Sequence, residues 1–259
     1  MPLEILLHTL PHPPSVAPTS ERYVRAVARD LAADATLPLH DHVWGQITFA
    51  LSGVLRVSAR GSSWIVPANR AIWIAPGVPH EITVLETVRL RALYVFAARA
   101  PFAGDDCKVL AVTPLLRELI VAIGLADPGP RERLLGELIL DELGACATLP
   151  IRVPLPRDKR LKSLCDALLS DPGATLTLAH WATQVGASER TLARLFERDL
   201  GMRFGQWRQQ VRLAHAAPMI ARGMPMAQVA SELGYASQSA FSAMFKKTFG
   251  NSPSAFFRQ

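Results

Sequence analysis

The chain reads Ala182-x-x-x-Gly186-x-Ser188-x-x-x-Leu192-x-x-x-Phe196-x-x-x-x-Gly201. It then repeats itself as Ala230-x-x-x-Gly234-x-x-Ser237-x-x-x-Phe241-x-x-x-Phe245-x-x-x-x-Gly250. The first two landmarks recur after 48 residues and the later ones after 49, because the second turn is one residue longer. In each copy a glycine, for which positive φ is cheap, ends a short helix. A serine then caps the next helix, and apolar residues at helical spacing give that helix a buried face. Two short helices joined by a glycine-containing turn form a helix-turn-helix. The second helix of that motif enters the major groove with its N-terminal half facing base edges. DNA is the expected partner.

The first copy has Thr175 and Thr177 as candidate N-caps. Its exposed reading positions are Glu189, Arg190, Ala193 and Arg194. An arginine can bridge guanine O6 and N7 with two hydrogen bonds, worth about 1–3 kcal/mol of base discrimination. The second copy predicts a helix over 226–233, then reading positions Gln238, Ser239, Ser242 and Ala243. Lys246 and Lys247 lie further along. Gln238 suits adenine and the lysine pair suits phosphates. The second copy has fewer strong donors, so it is expected to read weakly or to anchor. Residues 204–222 predict one connecting helix with Trp207, Val211, Ala214 and Ile220 at apolar spacing. Pro218 is expected to kink it.

Charge supports this reading. Residues 1–156 carry 14 Lys and Arg against 15 Asp and Glu, whereas residues 157–259 carry 14 against 7. A basic C-terminal segment is the electrostatic footprint of a polyanion binder. No apolar run approaches the ~20 residues of a membrane span, and the N-terminus lacks the pattern of a secretory signal. Three scattered cysteines argue against a disulfide framework or a CxxC zinc site, which fits a reducing cytoplasm.

The N-terminal half is patterned differently. Residues 1–20 are rich in proline and serine and are expected to be poorly ordered. From Tyr23 to Phe96, short β-rich runs (47–49, 54–57, 64–66, 71–74, 82–84 and 90–95) alternate with Gly, Pro and Asn turns, which predicts a sandwich or barrel. Residues 113–125 and 131–147 then predict helices. Three prolines between Pro150 and Pro156 mark a domain boundary. The expected class is α+β in two domains. A β-barrel spans 21–105, a helical linker suited to pairing two copies spans 106–150, and an all-α domain spans 157–259.

Residues 160–259 resemble the DNA-binding domain of the AraC/XylS family of transcription regulators. The resemblance rests on Leu178-Ala179-x-x-Ala182, Ser188-x-Arg190-x-Leu192-x-Arg194-x-Phe196, Val229-Ala230-x-x-Leu233-Gly234-Tyr235-x-Ser237 and Phe241-x-x-x-Phe245-Lys246-x-x-Phe249-Gly250-x-Ser252-Pro253. It implies that both recognition helices contact double-stranded promoter DNA, often as a homodimer, and leaves RNA polymerase as a candidate further partner. Ala193 and Ala243 stand where family members often carry larger polar residues.

His40-x-His42-x3-Gln46-x6-Gly53 resembles the first cupin motif, with Gln46 at the usual glutamate. Ala75-Pro76-Gly77-Val78-Pro79-His80 resembles the second motif, with Ala75 at its usual proline and Val84 at its usual asparagine. The resemblance implies a cupin-type barrel. Strand alternation puts His40 and His42 on one side, where His80 can join them. Three imidazoles suit Zn²⁺, Ni²⁺, Fe²⁺ or Mn²⁺, with Gln46 as a neutral fourth ligand. The same histidines also suit a metal-free effector pocket, with Trp44, Gln46 and Trp73 as effector contacts, or a satisfied polar interior. The strings His40-x-His42-x-Trp44-Gly45-Gln46 and Val66-Pro67-x-Asn69-Arg70-Ala71-x-Trp73-Ile74 resemble a subgroup that includes efflux regulators.

Taken together, these features predict a regulator whose barrel senses a small molecule and alters promoter binding, with no catalytic residues. The alternative is a cupin metalloenzyme, a dioxygenase or isomerase, with an appended helical domain. Gln46 in place of glutamate and the absence of an evident general base argue against it.

Overall fold

The β-rich runs of the N-terminal half form β1 (Val24–Leu31), β2 (Thr36–His40), β3 (Gly45–Ala59), β4 (Ser62–Pro67), β5 (Arg70–Ile74) and β6 (His80–Val95). The computed structural model describes residues 16–257 apart from 69, 150 and 151. Of the segment 1–20 expected to be poorly ordered, residues 1–15 lie outside the described residues, as do Asn69 and Pro150, while 16–20 are described and the Thr19 amide donates to the Arg22 carbonyl at 3.1 Å. After β6 come β7 (Lys108–Ala111), helices α1 (Pro114–Ile123) and α2 (Pro130–Ala145), and two short strands, β8 (Thr148–Leu149) and β9 (Val153–Pro154). The chain divides into two units, the first within Met1–Arg60 and Val66–Leu149, the second Gly61–Ile65 with Pro150–Arg258.

In the first unit the strands run in the order β1-β6-β3-β5-β7-β8, with β2 also on β6. The register sorts side chains by face, because residues directly opposite in antiparallel strands point the same way. Gln46 faces Ile74 and Tyr94, and Ile47 faces Trp73 and Leu93. Gln46, Thr48, Ile72, Ile74 and Tyr94 therefore share one face, and Ile47, Phe49, Trp73 and Leu93 the other. Val24 and Ala26 pair with Val95 and Leu93, on this second face. A Cβ on Gly136 of α2 would lie 3.5 Å from Val24, and one on Gly124, just after α1, 3.9 Å from Ala26. Helices α1 and α2 thus cover the second face. Thr113 caps α1, and Pro114 and Pro130 open the two helices.

Two pairs of predicted strands are in fact single strands. The runs at 47–49 and 54–57 belong to β3, and those at 82–84 and 90–95 to β6. Gly53, which reads as a turn glycine, lies within β3 at φ +79, where the β3–β6 register shifts repeatedly between Ala50 and Leu55. Bulges bend a strand without ending it. A Cβ on Gly53 would meet the Thr87 carbonyl oxygen at 2.3 Å, so the close approach of the two strands requires glycine there.

In the second unit, Ser62 and Ser63 of β4 pair with Pro154 and Val153 of β9. Helices follow: α3 (Lys159–Ser170), α4 (Leu178–Gln184), α5 (Glu189–Leu200), α6 (Phe204–Ala221), α7 (Met226–Glu232), α8 (Gln238–Phe249) and α9 (Pro253–Phe257). The repeat is carried through to geometry, since α4 and α7 have 7 residues each and α5 and α8 have 12 each. Gly186 and Gly234 adopt φ +65 and +69. The next amide reaches back five residues in both copies, Ala187 to Ala182 and Tyr235 to Ala230, each at 2.9 Å. That is the pattern of a helix closed by a left-handed glycine. Thr177, of the two threonines, caps α4.

Helix α6 continues through Pro218 to Ala221. The proline removes one amide donor, yet its own carbonyl still accepts from Arg222 at 3.0 Å. Having no amide hydrogen, Pro218 leaves the Ala214 carbonyl without its usual helical donor, so the ladder lacks that one bond while the helix runs on. Trp207, fully buried, donates its indole N–H to the Pro154 carbonyl at 2.8 Å. Leu192, Phe196, Val211, Val229, Phe241 and Phe245 fill the same core. Cys165 is buried there too, and burial pushes its thiol pKa up, so it packs as an inert apolar group.

Candidate functional site

The recognition helices present their predicted residues to solvent. Ser188 caps α5 by accepting from the Thr191 amide at 3.1 Å, and Ser237 caps α8 by accepting from Ala240 at 3.1 Å. Glu189, Arg190 and Arg194 are exposed, while Ala193 is half-buried. Gln238, Ser239, Ala243, Lys246 and Lys247 are exposed and Ser242 is half-buried. Glu189 occupies the first turn of α5, where its charge favours the positive helix end. On and just after the same helix, Arg198 is paired with Asp199 at 2.7 Å and Arg203 with Glu197 at 3.6 Å. Among the described residues neither Arg190 nor Arg194 has an intramolecular ion pair. Their guanidinium groups remain available to an external acceptor.

The second constellation is in the first unit. Ring centroids of His40 and His80 lie 4.3 Å apart, those of His42 and His80 5.1 Å, and those of His40 and His42 6.1 Å. One ligand atom from each falls within 4.8 Å of the others. Pairing of β2 with β6 sets His40 opposite His80. Each ring is held by a backbone carbonyl at Nδ1: His40 by Pro38 at 2.6 Å, His42 by Trp44 at 2.7 Å and His80 by Val78 at 2.9 Å. A carbonyl can only accept, so in the neutral ring the proton sits on Nδ1 and Nε2 carries the lone pair. Burial lowers the pKa of all three, that of His80 to about 4, which keeps them neutral at pH 7. The His80 Nε2 is buried with no hydrogen-bond partner.

Gln46 completes the cluster. Its side-chain oxygen lies 2.9 Å from His42 Nε2 and its amide nitrogen 2.8 Å from Thr48 Oγ1. With His42 protonated at Nδ1, two acceptors face each other at 2.9 Å. Turning the amide over resolves the clash, as does a cation between the two atoms. Metal-bound imidazoles typically donate their other ring nitrogen to a carbonyl or carboxylate, which fixes tautomer and orientation. Metal–nitrogen bonds of about 2.0–2.1 Å in a tetrahedral site set ligand atoms about 3.3 Å apart, so the widest separation of 4.8 Å would need to close by about 1.5 Å.

The predicted effector contacts separate. Trp44 stacks on His42 at 5.2 Å and 3° and belongs to the cluster. Trp73 does not, because the β3–β5 register puts it on the face opposite Gln46. It packs over Gly45, where a Cβ would meet its ring at 1.9 Å, and against Phe102 at 5.6 Å. Three residues not singled out as effector contacts share the Gln46 face instead: Thr48, Tyr94 and, by alternation along β5, Arg70, which is 2 % exposed. Their signal is register, which emerges only once the strand pairing is known.

Two family descriptions match. An AraC-like ligand binding domain matches residues 23–143, and a helix-turn-helix domain residues 181–259. The HTH-type transcriptional regulator NimR of Escherichia coli strain K12 is 32% identical over 227 residues, covering 86% of this chain and 83% of that protein. The arabinose operon regulatory protein of the same strain is 33% identical over 105 residues, 39% of this chain and 35% of that protein. A crystal structure of ToxT from Vibrio cholerae O395 aligns over 91% of this chain and 97% of that one at 14% identity, with a TM-score of 0.38.

Proposed function

The chain belongs to the AraC family of transcription regulators, with a ligand-binding domain and a helix-turn-helix DNA-binding domain, and from that membership we propose how its residues divide the work. Arg190 and Arg194 read bases in promoter DNA, and α8 anchors the second half of the site through Gln238, Ser239 and the phosphates met by Lys246 and Lys247. The observation that carries this is the contrast on α5 itself, where Arg198 and the nearby Arg203 are neutralised by acids while Arg190 and Arg194 are not. The matched relatives are regulators, and the chain is a regulator rather than an enzyme.

The effector domain responds through the histidine cluster. His40, His42 and His80 hold a divalent transition metal by Nε2, with Gln46 as a neutral fourth ligand, and Trp44 and Tyr94 bound the space beside it. Three neutral imidazoles with fixed tautomers favour zinc or nickel over magnesium or calcium. Such an ion supplies a Lewis-acidic docking point for an effector's oxygen or nitrogen atom. The effector acts only as far as it binds two arrangements of the protein unequally. Leu115 on α1, with Leu134 and Leu138 on α2, is more than half exposed, and these leucines form the contact with a second copy of the chain. Selection of bound sequences from random DNA by the wild-type protein, repeated with Arg190→Ala, tests the reading assignment. An unchanged preferred sequence removes it.

A further inference from the structure

The two helix-turn-helix units are joined by more than the connector. The loop before the first unit passes against the turn of the second so closely that neither has room for a side chain. A Cβ on Gly173 would lie 2.5 Å from the Glu232 carbonyl oxygen, and one on Gly234 would lie 2.3 Å from the Gly173 carbonyl oxygen. Gly173 is held in place by the Asp171 carboxylate, which accepts its amide at 3.1 Å.

Arg212 of the connector α6 spans this junction. It is 9% exposed. Its Nε donates to the Pro172 carbonyl at 3.0 Å and its Nη2 to the Ala174 carbonyl at 3.2 Å. Its guanidinium carbon also lies 5.2 Å from the centre of the Tyr235 ring, in the turn of the second unit. One planar group therefore fastens the lead-in to α4 and stacks on the turn between α7 and α8. One helical turn earlier, Arg208 donates to the Leu176 carbonyl at 3.2 Å. A buried donor fork on a rigid helix has few alternative geometries.

We infer that Arg212 is a positioning residue for DNA recognition: clamped between Pro172, Ala174 and Tyr235, it sets the separation of the two recognition helices and so the spacing of half-sites that this chain accepts. Arg212 faces the protein interior and makes no base contact. Its effect is on register between two contacts, because each added base pair moves one half-site by about 3.4 Å along the duplex and turns it by roughly a tenth of a turn. A linked pair gains from its second contact only if the geometry allows both at once. This inference rests on the proposed division of reading between α5 and α8.

The test uses full-length protein and the operator selected by the wild-type chain, with zero, one or two base pairs inserted between the half-sites. Affinity for the isolated α5 half-site is measured alongside. Wild type is expected to lose about tenfold on a one-base-pair insertion, which is the scale of a single mismatch. Arg212→Ala is expected to lose no more than about threefold on the same insertion while keeping the wild-type half-site affinity, which also shows that it folds. Equal insertion penalties in wild type and Arg212→Ala overturn the inference. Loss of half-site binding in Arg190→Ala reports on the reading assignment separately. Should Arg212→Ala fail to fold, Gly173→Ala wedges the same junction with Arg212 intact. It is expected to change the preferred insertion length, and an unchanged preference again overturns the inference.

Discussion

His80 and Tyr94 stand at opposite ends of the single strand β6, fourteen residues apart, yet the ring of His42 lies 5.1 Å from one and 6.3 Å from the other. A straight strand would hold those two positions about 46 Å apart. The strand must therefore curl back on itself, and the bulged stretch of β3 around Gly53 is where its neighbour bends with it. The histidine cluster is a product of that curl. Its members come from β2, the β2–β3 loop and the start of β6, and Tyr94 closes it from the far end of the same strand.

Metal binding depends on all three imidazoles acting together. Purified protein reconstituted with Zn²⁺ or Ni²⁺ is expected to retain about one ion per chain by elemental analysis. His80→Ala and His42→Ala are expected to retain at least tenfold less, the scale of losing a ligand or its orienting partner. Retention unchanged in both variants would remove the site. Gln46→Glu adds a charged ligand and is expected to tighten binding.

The depressed pKa of His80 makes the metal-free protein sensitive to mild acid. Burial lowers that pKa from the ordinary 6.5 to about 4, so the unfolded chain takes up the proton first. The contribution is fully present above pH 6.5 and is lost as pH falls toward 4, reaching about 3 kcal/mol by the lower limit. Urea unfolding at pH 7.5, 6 and 5 should show this fall, and His80→Leu should flatten it. Equal slopes in both proteins would place the effect in other groups.

The helical half was the more legible of the two. Its helices close on local signals, and Gly186, Ser188, Gly234 and Ser237 each do in the structure what their positions in the repeat foretell. The sheet was legible in composition but not in connectivity. Gly53 marks a bulge instead of a turn, because a glycine signals positive φ or close approach without saying which neighbour requires it. Trp73 illustrates the same limit. It lies 27 residues from Gln46, and only the Ile47–Trp73 register shows that the two side chains leave opposite faces. The pairing of Ser62 and Ser63 with β9, some ninety residues on, left no mark in the sequence at all.

Gly53→Ala is expected to destabilise the effector domain by about 2 kcal/mol, combining a strained left-handed φ with crowding against the Thr87 carbonyl. Chemical denaturation followed by the fluorescence of Trp44 and Trp73 measures it. Gly77→Ala, also at positive φ but with nothing near its added methyl, separates the two causes and is expected to cost about half as much.

Association through α1 and α2 makes a separate prediction. Leu134 and Leu138 are 67% and 51% exposed and one helical turn apart on α2. Replacing both with glutamate removes apolar area from a contact while leaving the buried Ile139 and Leu143 in place. Sedimentation should show a dimer for wild type and a monomer for the double variant, with matching thermal unfolding of the monomeric fold. A monomeric wild type at micromolar concentration would dismiss the contact.

The two recognition helices should fail in different ways. Arg190→Ala and Arg194→Ala are each expected to cost about 1–3 kcal/mol on the selected operator and to relax preference at one base position. They should leave the salt dependence nearly intact, because bidentate base contacts are not counterion-releasing phosphate contacts. Lys246→Ala and Lys247→Ala should weaken binding to specific and random DNA alike, each lowering the slope of log affinity against log salt by about one. Binding curves across a salt series on operator and random duplexes resolve the four variants. If the lysine variants alter base preference while the arginine variants alter only the salt slope, α8 reads and α5 anchors, the reverse of the division proposed.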